Sequence, residues 1–313
     1  MNSFLYCFDA NYNIQATISM LSLLDNVENK LNIYIIHDQP ESFEKYLKKI
    51  KKNNNLNSIE IYKFEDKKHN FPNLHNSHVT YATYFRVFID NYLPQDIDFL
   101  TYVDADILCL QNPEQKIKEV VESLKSKGVA LAGLTEGERK TSEEFFINLG
   151  LKNDRYFNAG LIVIDYKQWQ KLNLTKSLLG IMNNNYKNII YWDQDLMNLF
   201  FDGQYLELPR ELNYTPSESI YAEKLPSDIN ICFLHYSGSK KPWYFENVFL
   251  SLSRYYQEAY KKYFANQYHA TAKFKKHEVA PLLSILKSPD INSVDKFKLI
   301  YGIIKTNFYL NEK

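Results

Sequence analysis

Two carboxylates one residue apart, Asp104 and Asp106, end the apolar run Phe99-Leu100-Thr101-Tyr102-Val103. In an extended strand residues i and i+2 point to one face, so these acids are expected to converge where a strand leaves the core. Two anions held that close repel unless a cation lies between them. Mn²⁺, or Mg²⁺, suits hard oxygen ligands, and an ion held this way can also grip a diphosphate. The same Asp-x-Asp spacing also serves as a plain turn cap, because Asp is at home in turns.

Other chemistry-bearing residues are scattered along the chain. Arg86 lies within Thr80-Tyr81-Ala82-Thr83-Tyr84-Phe85-Arg86-Val87-Phe88-Ile89, read as a helix. A guanidinium in so apolar a setting either pairs with a structural acid or is kept for an anion. Asp193-Gln194-Asp195 opens a second helical stretch, where Asp193 also reads as an N-cap. His235 ends the strand-like Ile231-Cys232-Phe233-Leu234 and offers a neutral nitrogen ligand. The segment after it, Tyr236-Ser237-Gly238-Ser239-Lys240-Lys241-Pro242-Trp243, reads as a phosphate loop without a Walker pattern.

The elements that must position these groups alternate. Ser3 to Phe8 reads as a buried strand, followed by the turn Asp9-Ala10-Asn11-Tyr12-Asn13 and a helix with Ile14, Ile18, Leu21 and Leu24 at helical spacing. Leu31–His37 and Ile59–Phe64 read as further strands, with a lysine-rich helix over Ser42–Lys52 between them. This order predicts an α/β fold with a parallel sheet covered by helices, which binds nucleotides at the carboxyl ends of its strands. Asp9, Asn11 and Tyr12 then either meet a base and ribose or simply make a turn. Helical Glu114 to Lys125, a strand over Val129–Leu134 and a polar loop from Thr135 to Thr141 follow. Small residues Ala159 and Gly160, ahead of the apolar Leu161–Ile164, mark a close approach to the backbone or a tight bend.

At 313 residues the chain can bury a sizeable core, and its 45% hydrophobic and 24% charged content is that of a soluble globular protein. Formal charge sums to zero but is uneven: residues 251–313 hold 11 Lys and Arg against 5 Asp and Glu. A basic tail suits an anionic membrane surface or a polyanionic acceptor, and no nucleic-acid motif is present. Lys296, Lys298 and Lys305 alternate with Phe297, Ile300, Ile303, Ile304 and Phe308 as in an amphipathic helix, which suits a helical cap equally well. Cys7, Cys109 and Cys232 lie in apolar runs and read as reduced core thiols of a cytoplasmic protein. The sequence has no signal-peptide pattern and no uncharged run long enough for a membrane span.

The ordered blocks Asp9-Ala10-Asn11-Tyr12, Thr83-Tyr84-Phe85-Arg86, Asp104-Ala105-Asp106, Phe157-Asn158-Ala159-Gly160, Asp193-Gln194-Asp195 and His235-Tyr236-Ser237-Gly238 through Lys241-Pro242-Trp243 cover roughly residues 3–245. In that order they resemble family 8 of the retaining glycosyltransferases, the group of bacterial lipopolysaccharide α-galactosyl- and α-glucosyltransferases and glycogenin. The resemblance implies a GT-A, Rossmann-like domain over residues 1–250 with a mainly helical appendage over 251–313. It implies a UDP-sugar donor and a glycan or glycolipid acceptor, while the basic tail, outside the shared blocks, is read on its own as a peripheral contact with the inner face of the plasma membrane. Asp104, Asp106 and His235 would hold the metal; Cys7, Asp9, Asn11 and Tyr12 the uridine, with Arg86 and Ala105 beside the nucleotide; Gly238 and Lys241 the diphosphate. Arg86, Asn158, Ala159, Asp193 and Gln194 would line the donor sugar. Transfer would run by front-face attack near Gln194 or through an adduct on Asp195, and the former is preferred because an amide is a poor nucleophile. A protein acceptor, or nucleotide-sugar binding without turnover, stands as the alternative. Cys7 replaces an Ala frequent in relatives, and Thr135-Glu136 does not clearly supply an acid that some galactosyltransferases use, which leaves galactose against glucose open.

Overall fold

The computed structural model describes residues 3–66, 68–74, 80–136, 143–216, 224–271 and 279–306. The chain divides into two compact units, residues 1–214 with 230–234, and residues 215–229 with 235–313.

The first unit begins with strand β1 (Ser3–Phe8), a 3₁₀ turn (Ala10–Tyr12) and helix α1 (Asn13–Asn26). Strand β2 (Leu31–His37), helix α2 (Pro40–Ile50) and strand β3 (Leu56–Lys63) follow. A 3₁₀ segment (Tyr81–Asn91) leads to β4 (Phe99–Val103) and β5 (Ile107–Cys109), then helix α3 (Glu114–Lys127), strand β6 (Leu131–Thr135) and helix α4 (Glu143–Leu149). The long strand β7 (Phe157–Asp165) precedes helices α5 (Tyr166–Lys171), α6 (Leu174–Asn185) and α7 (Trp192–Phe201), and short strands β8 (Leu206–Glu207) and β9 (Phe233–His235).

One sheet runs in the order β3-β2-β1-β4-β7-β6-β8, while β5 and β9 form a separate pair. The predicted strand-helix alternation holds through β3, where β1, β2 and β3 are parallel. The sheet is not wholly parallel, however, because β7 runs antiparallel to both β4 and β6. Helix α3 lies between β5 and β6, and α4 lies between β6 and β7. Both faces are covered: every residue of β1, β2 and β7 is buried, as is most of α1.

Three further expectations change. The run from Phe99 to Leu108 is two strands broken at Asp104-Ala105-Asp106, so the acids belong to a turn and not to a strand end. The stretch expected as a helix over Thr80–Ile89 is a 3₁₀ segment, Tyr81–Asn91, with extended backbone at Thr80 and non-helical backbone at Phe88. Thr135 is the last residue of β6, Glu136 follows it, and the rest of the expected loop lies outside the described residues from 137 on.

The second unit carries helices α8 (Ser253–Tyr263), α9 (Val279–Lys287) and α10 (Ser293–Ile304). The expected boundary at residue 250 falls inside this unit. Tyr236 Oη donates to Leu252 O, Gln257 Nε2 donates to Pro242 O, and Tyr244 bridges Thr271, so the segment after His235 packs with α8. Leu299 and Ile303 on α10 are buried with Phe245, Val248 and Tyr268, while Val294, Phe297, Ile300, Tyr301 and Ile304 on the same helix are exposed. Gly302 sits where a Cβ would come within 2.2 Å of Tyr268 O. Phe308 lies outside the described residues. Among the described residues no helix is long and apolar enough to cross a membrane.

Candidate functional site

The acid pair is held by the turn between β4 and β5. Ile107 N donates to Asp104 O at 3.2 Å, closing the turn, and Asp104 N donates to Gly160 O of β7 at 2.8 Å. Convergence of the carboxylates thus comes from turn geometry rather than from strand alternation. Tyr102 Oη donates to Asp104 Oδ1 at 2.5 Å. Strand β5 is tied to α1, since Cys109 N donates to Ser22 Oγ and Asn26 Nδ2 donates to Cys109 O. Its partner β9 ends at His235. Ligand atoms of Asp104, Asp106 and His235 all lie within 4.8 Å of one another. Two carboxylate oxygens and one imidazole nitrogen make a donor set that fits a divalent cation.

Arg86 pairs with acids, the first of the two roles open to it in sequence. Its Nε lies 2.6 Å from Asp193 Oδ2, its Nη2 lies 3.4 Å from Asp104 Oδ1, and its Nη1 donates to Ala159 O. The guanidinium also lies over the Tyr102 ring, 4.2 Å from its centroid. Burial works against its charge, but Asp104 and Asp193 outweigh that and push its pKa up. Asp193 is 1% exposed, and burial lifts its carboxyl to about 6 although Arg86 and a hydrogen bond donated by Thr83 Oγ1 oppose the rise. It lies in the first turn of α7 and is not the N-cap, which is Tyr191.

The end of β7 and the start of α7 are stitched together. Gln194 Oε1 accepts from Ala159 N at 2.9 Å, and Gln194 Nε2 donates to Tyr156 Oη at 3.2 Å. Tyr156 Oη donates to Asp195 Oδ1, whose other oxygen accepts from Ile190 N at 2.7 Å and Tyr191 N at 2.8 Å. Asp195 therefore caps the helix entry from its fourth residue, as in a capping box. Asn158 Oδ1 accepts from Gly160 N and Asn213 Nδ2, and Asn158 Nδ2 donates to Glu136 Oε1 at 2.9 Å. The acid not assigned at Thr135-Glu136 is thus in contact with Asn158.

On β1, Cys7 is buried, and burial pushes its thiol well up. Asp9 Oδ1 accepts from Asn11 N at 3.0 Å and caps the turn, Asn11 is exposed, and Tyr12 is half-buried. Ala105 is buried at the acid turn. In the second unit Gly238 has φ +78°, and buried Lys241 donates from Nζ to Tyr236 O at 2.8 Å.

Asp104, Arg86, Asn158, Ala159, Asp193 and Gln194 are thus joined by contacts within one unit, and Asp106 adjoins them through its turn. Thr83, Tyr102, Glu136, Tyr156 and Asn213 also belong to this network; Glu136 is the acid left unassigned in sequence, and the other four carry no role there. Thr83 opens one quoted block and Tyr156 directly precedes another; Asn213, 55 residues from Asn158, has no local signal.

A sheet of this order with an acid turn after β4 defines a GT-A glycosyltransferase fold, and two solved structures of LgtC superimpose with TM-scores of 0.69 and 0.67 at 18% identity, covering 84% of this chain and 96% of theirs. A family model described as glycosyl transferase family 8 matches residues 3–247, and the chain belongs to that family. It is 27% identical over 280 residues to a lipopolysaccharide 1,2-glucosyltransferase of Escherichia coli, covering 81% of this chain and 79% of that protein. It is also 28% identical over 185 residues to a lipopolysaccharide 1,3-galactosyltransferase of Salmonella typhimurium, covering 56% of this chain and 52% of that protein.

Proposed function

We propose that the chain is a metal-dependent, retaining hexosyltransferase that moves galactose or glucose from a UDP-sugar to a lipopolysaccharide-type glycan. The observation that carries this is the Asp104, Asp106 and His235 donor set in a chain of a glycosyltransferase family. The acceptor class is that of the two lipopolysaccharide transferases the chain resembles.

Asp104, Asp106 and His235 hold the cation, Mn²⁺ or Mg²⁺, which when bound supplies electrostatic stabilisation to a departing diphosphate. Cys7, Asp9, Asn11 and Tyr12 bind uridine, and Gly238 and Lys241 bind phosphate oxygens. Arg86, Asn158, Ala159, Asp193 and Gln194 hold the sugar. The bond from the anomeric carbon to the diphosphate oxygen breaks and its electron pair leaves with UDP. An acceptor hydroxyl oxygen bonds to that carbon from the same face, and its proton passes to the diphosphate. Positive charge that builds on the sugar is met by the Gln194 carboxamide oxygen. Asp195 is set aside as a nucleophile because three donors occupy its carboxylate. The basic tail from residue 251 brings the enzyme to an anionic cytoplasmic leaflet.

Incubation with a panel of UDP-sugars, with Mn²⁺ and with chelator, tests the reading without needing the acceptor. Mn²⁺-dependent release of UDP from UDP-galactose or UDP-glucose is expected; equal release in chelator sinks the proposal.

A further inference from the structure

The Gln194 amide is not free to turn. Its Oε1 accepts from Ala159 N, and a backbone N–H can only donate, so the oxygen end must face β7 and the nitrogen end must face away. That nitrogen donates to Tyr156 Oη, which in turn donates its own proton to Asp195 Oδ1. Asp195 can only accept there, because Oδ2 already takes the N–H groups of Ile190 and Tyr191. One arrangement of donors and acceptors satisfies every link from the entry of α7 to Gln194. Tyr156 and Asp195 are fully buried, whereas Gln194 is half-buried, so the chain of bonds runs from the interior to a side chain that reaches solvent. Linked buried hydrogen bonds reinforce one another, and each costs free energy when it is left unmade.

From this geometry we infer that Tyr156 is a positioning residue for sugar transfer. Its hydroxyl, aimed by Asp195, fixes the rotation of the Gln194 amide so that the second lone pair of Oε1 is offered to the donor sugar. The inference rests on the assignment of Gln194 to that sugar. It gives Asp195 a part in the reaction that needs no bond to the sugar.

The test is steady-state hydrolysis of the preferred UDP-sugar with Mn²⁺ by Tyr156→Phe, Gln194→Ala and the double variant, with UDP affinity measured by calorimetry. Tyr156→Phe should lower kcat about ten- to a hundredfold while donor KM stays within about twofold, the pattern of a displaced reacting group. UDP affinity should not change, and the double variant should be no slower than Gln194→Ala alone. Wild-type kcat in Tyr156→Phe, an additive loss in the double variant, or an equal loss in UDP affinity each overturns the positioning role while leaving Gln194 in place. Wild-type turnover in Gln194→Ala removes the assignment beneath it and the inference as well. Should Tyr156→Phe fail to fold, 3-fluorotyrosine at position 156 keeps the ring and hydroxyl but alters its acidity. A shifted kcat at constant KM then supports the role, and an unchanged kcat overturns it.

Discussion

The two halves of the main sheet solve different problems. On one side β1, β2 and β3 run parallel, and the polar group at the end of β1, Asp9, spends its carboxylate on its own turn. On the other side the antiparallel β7 brings Ala159 and Gly160 beside the Asp104 turn, and both carbonyls are used: Ala159 O by Arg86 and Gly160 O by Asp104 N. The parallel half is an apolar platform, and the mixed half is a charge-bearing one. Charged and polar contacts are concentrated where strand direction changes, because the reversed strand presents backbone groups to a neighbour's terminal turn.

Four measurements could break that contrast. Arg86→Leu leaves Asp193 buried without its cation and should cost about 3–5 kcal/mol in urea unfolding at pH 8. A loss below about 1 kcal/mol, typical of an exposed pair, would make the mixed half no more charge-dependent than the other. Asp106→Asn should lower Mn²⁺-dependent UDP release by about a thousandfold, since charge stabilisation of this kind is worth several kcal/mol. Turnover within about tenfold of wild type would take the acid turn out of the reaction.

The third measurement follows stability with pH. Burial raises Asp193 from 3.8 to about 6, so the folded chain binds this proton more tightly than the unfolded chain does. Its contribution is fully present below pH 3.8 and is lost as pH rises through about 6, amounting to about 3 kcal/mol. Asp193→Asn should flatten that slope, and an unaltered profile would place the titration elsewhere. Smallest is the platform side: Asp9→Ala removes a turn cap and should cost about 1 kcal/mol, with Asp9→Asn nearly neutral. A larger loss in thermal unfolding would show that the parallel half also stores charge.

The same contrast governs what could be read from sequence. The limits of β1 and β2 and the apolar face of α1 are local patterns and match their runs of buried residues. The direction of β7 is not local, because an apolar run reads alike in either sense, and the antiparallel pairing with β4 and β6 is visible only in the structure. Asp104 and Asp106 were expected to converge by strand alternation, yet a turn does it, since the deciding bond is to Gly160, 56 positions on. Residue types exposed Arg86 and Asp193 as candidates, but their pairing across 107 positions has no periodic trace. Tyr156 was passed over for a similar reason: a tyrosine beside an apolar strand looks like core until its hydroxyl is seen between Gln194 and Asp195.

Gly302 has a consequence for the outer surface of the tail. With Tyr268 O where a methyl group would sit, α10 in this setting lies closer to the Tyr268 backbone than any residue with a Cβ at 302 would allow. That setting turns Val294, Phe297, Ile300, Tyr301 and Ile304 outward as a greasy strip flanked by Lys298 and Lys305. An alanine at 302 would lift or roll the helix and smear the strip across a different arc, altering what the tail can adhere to while every residue of the strip stays the same.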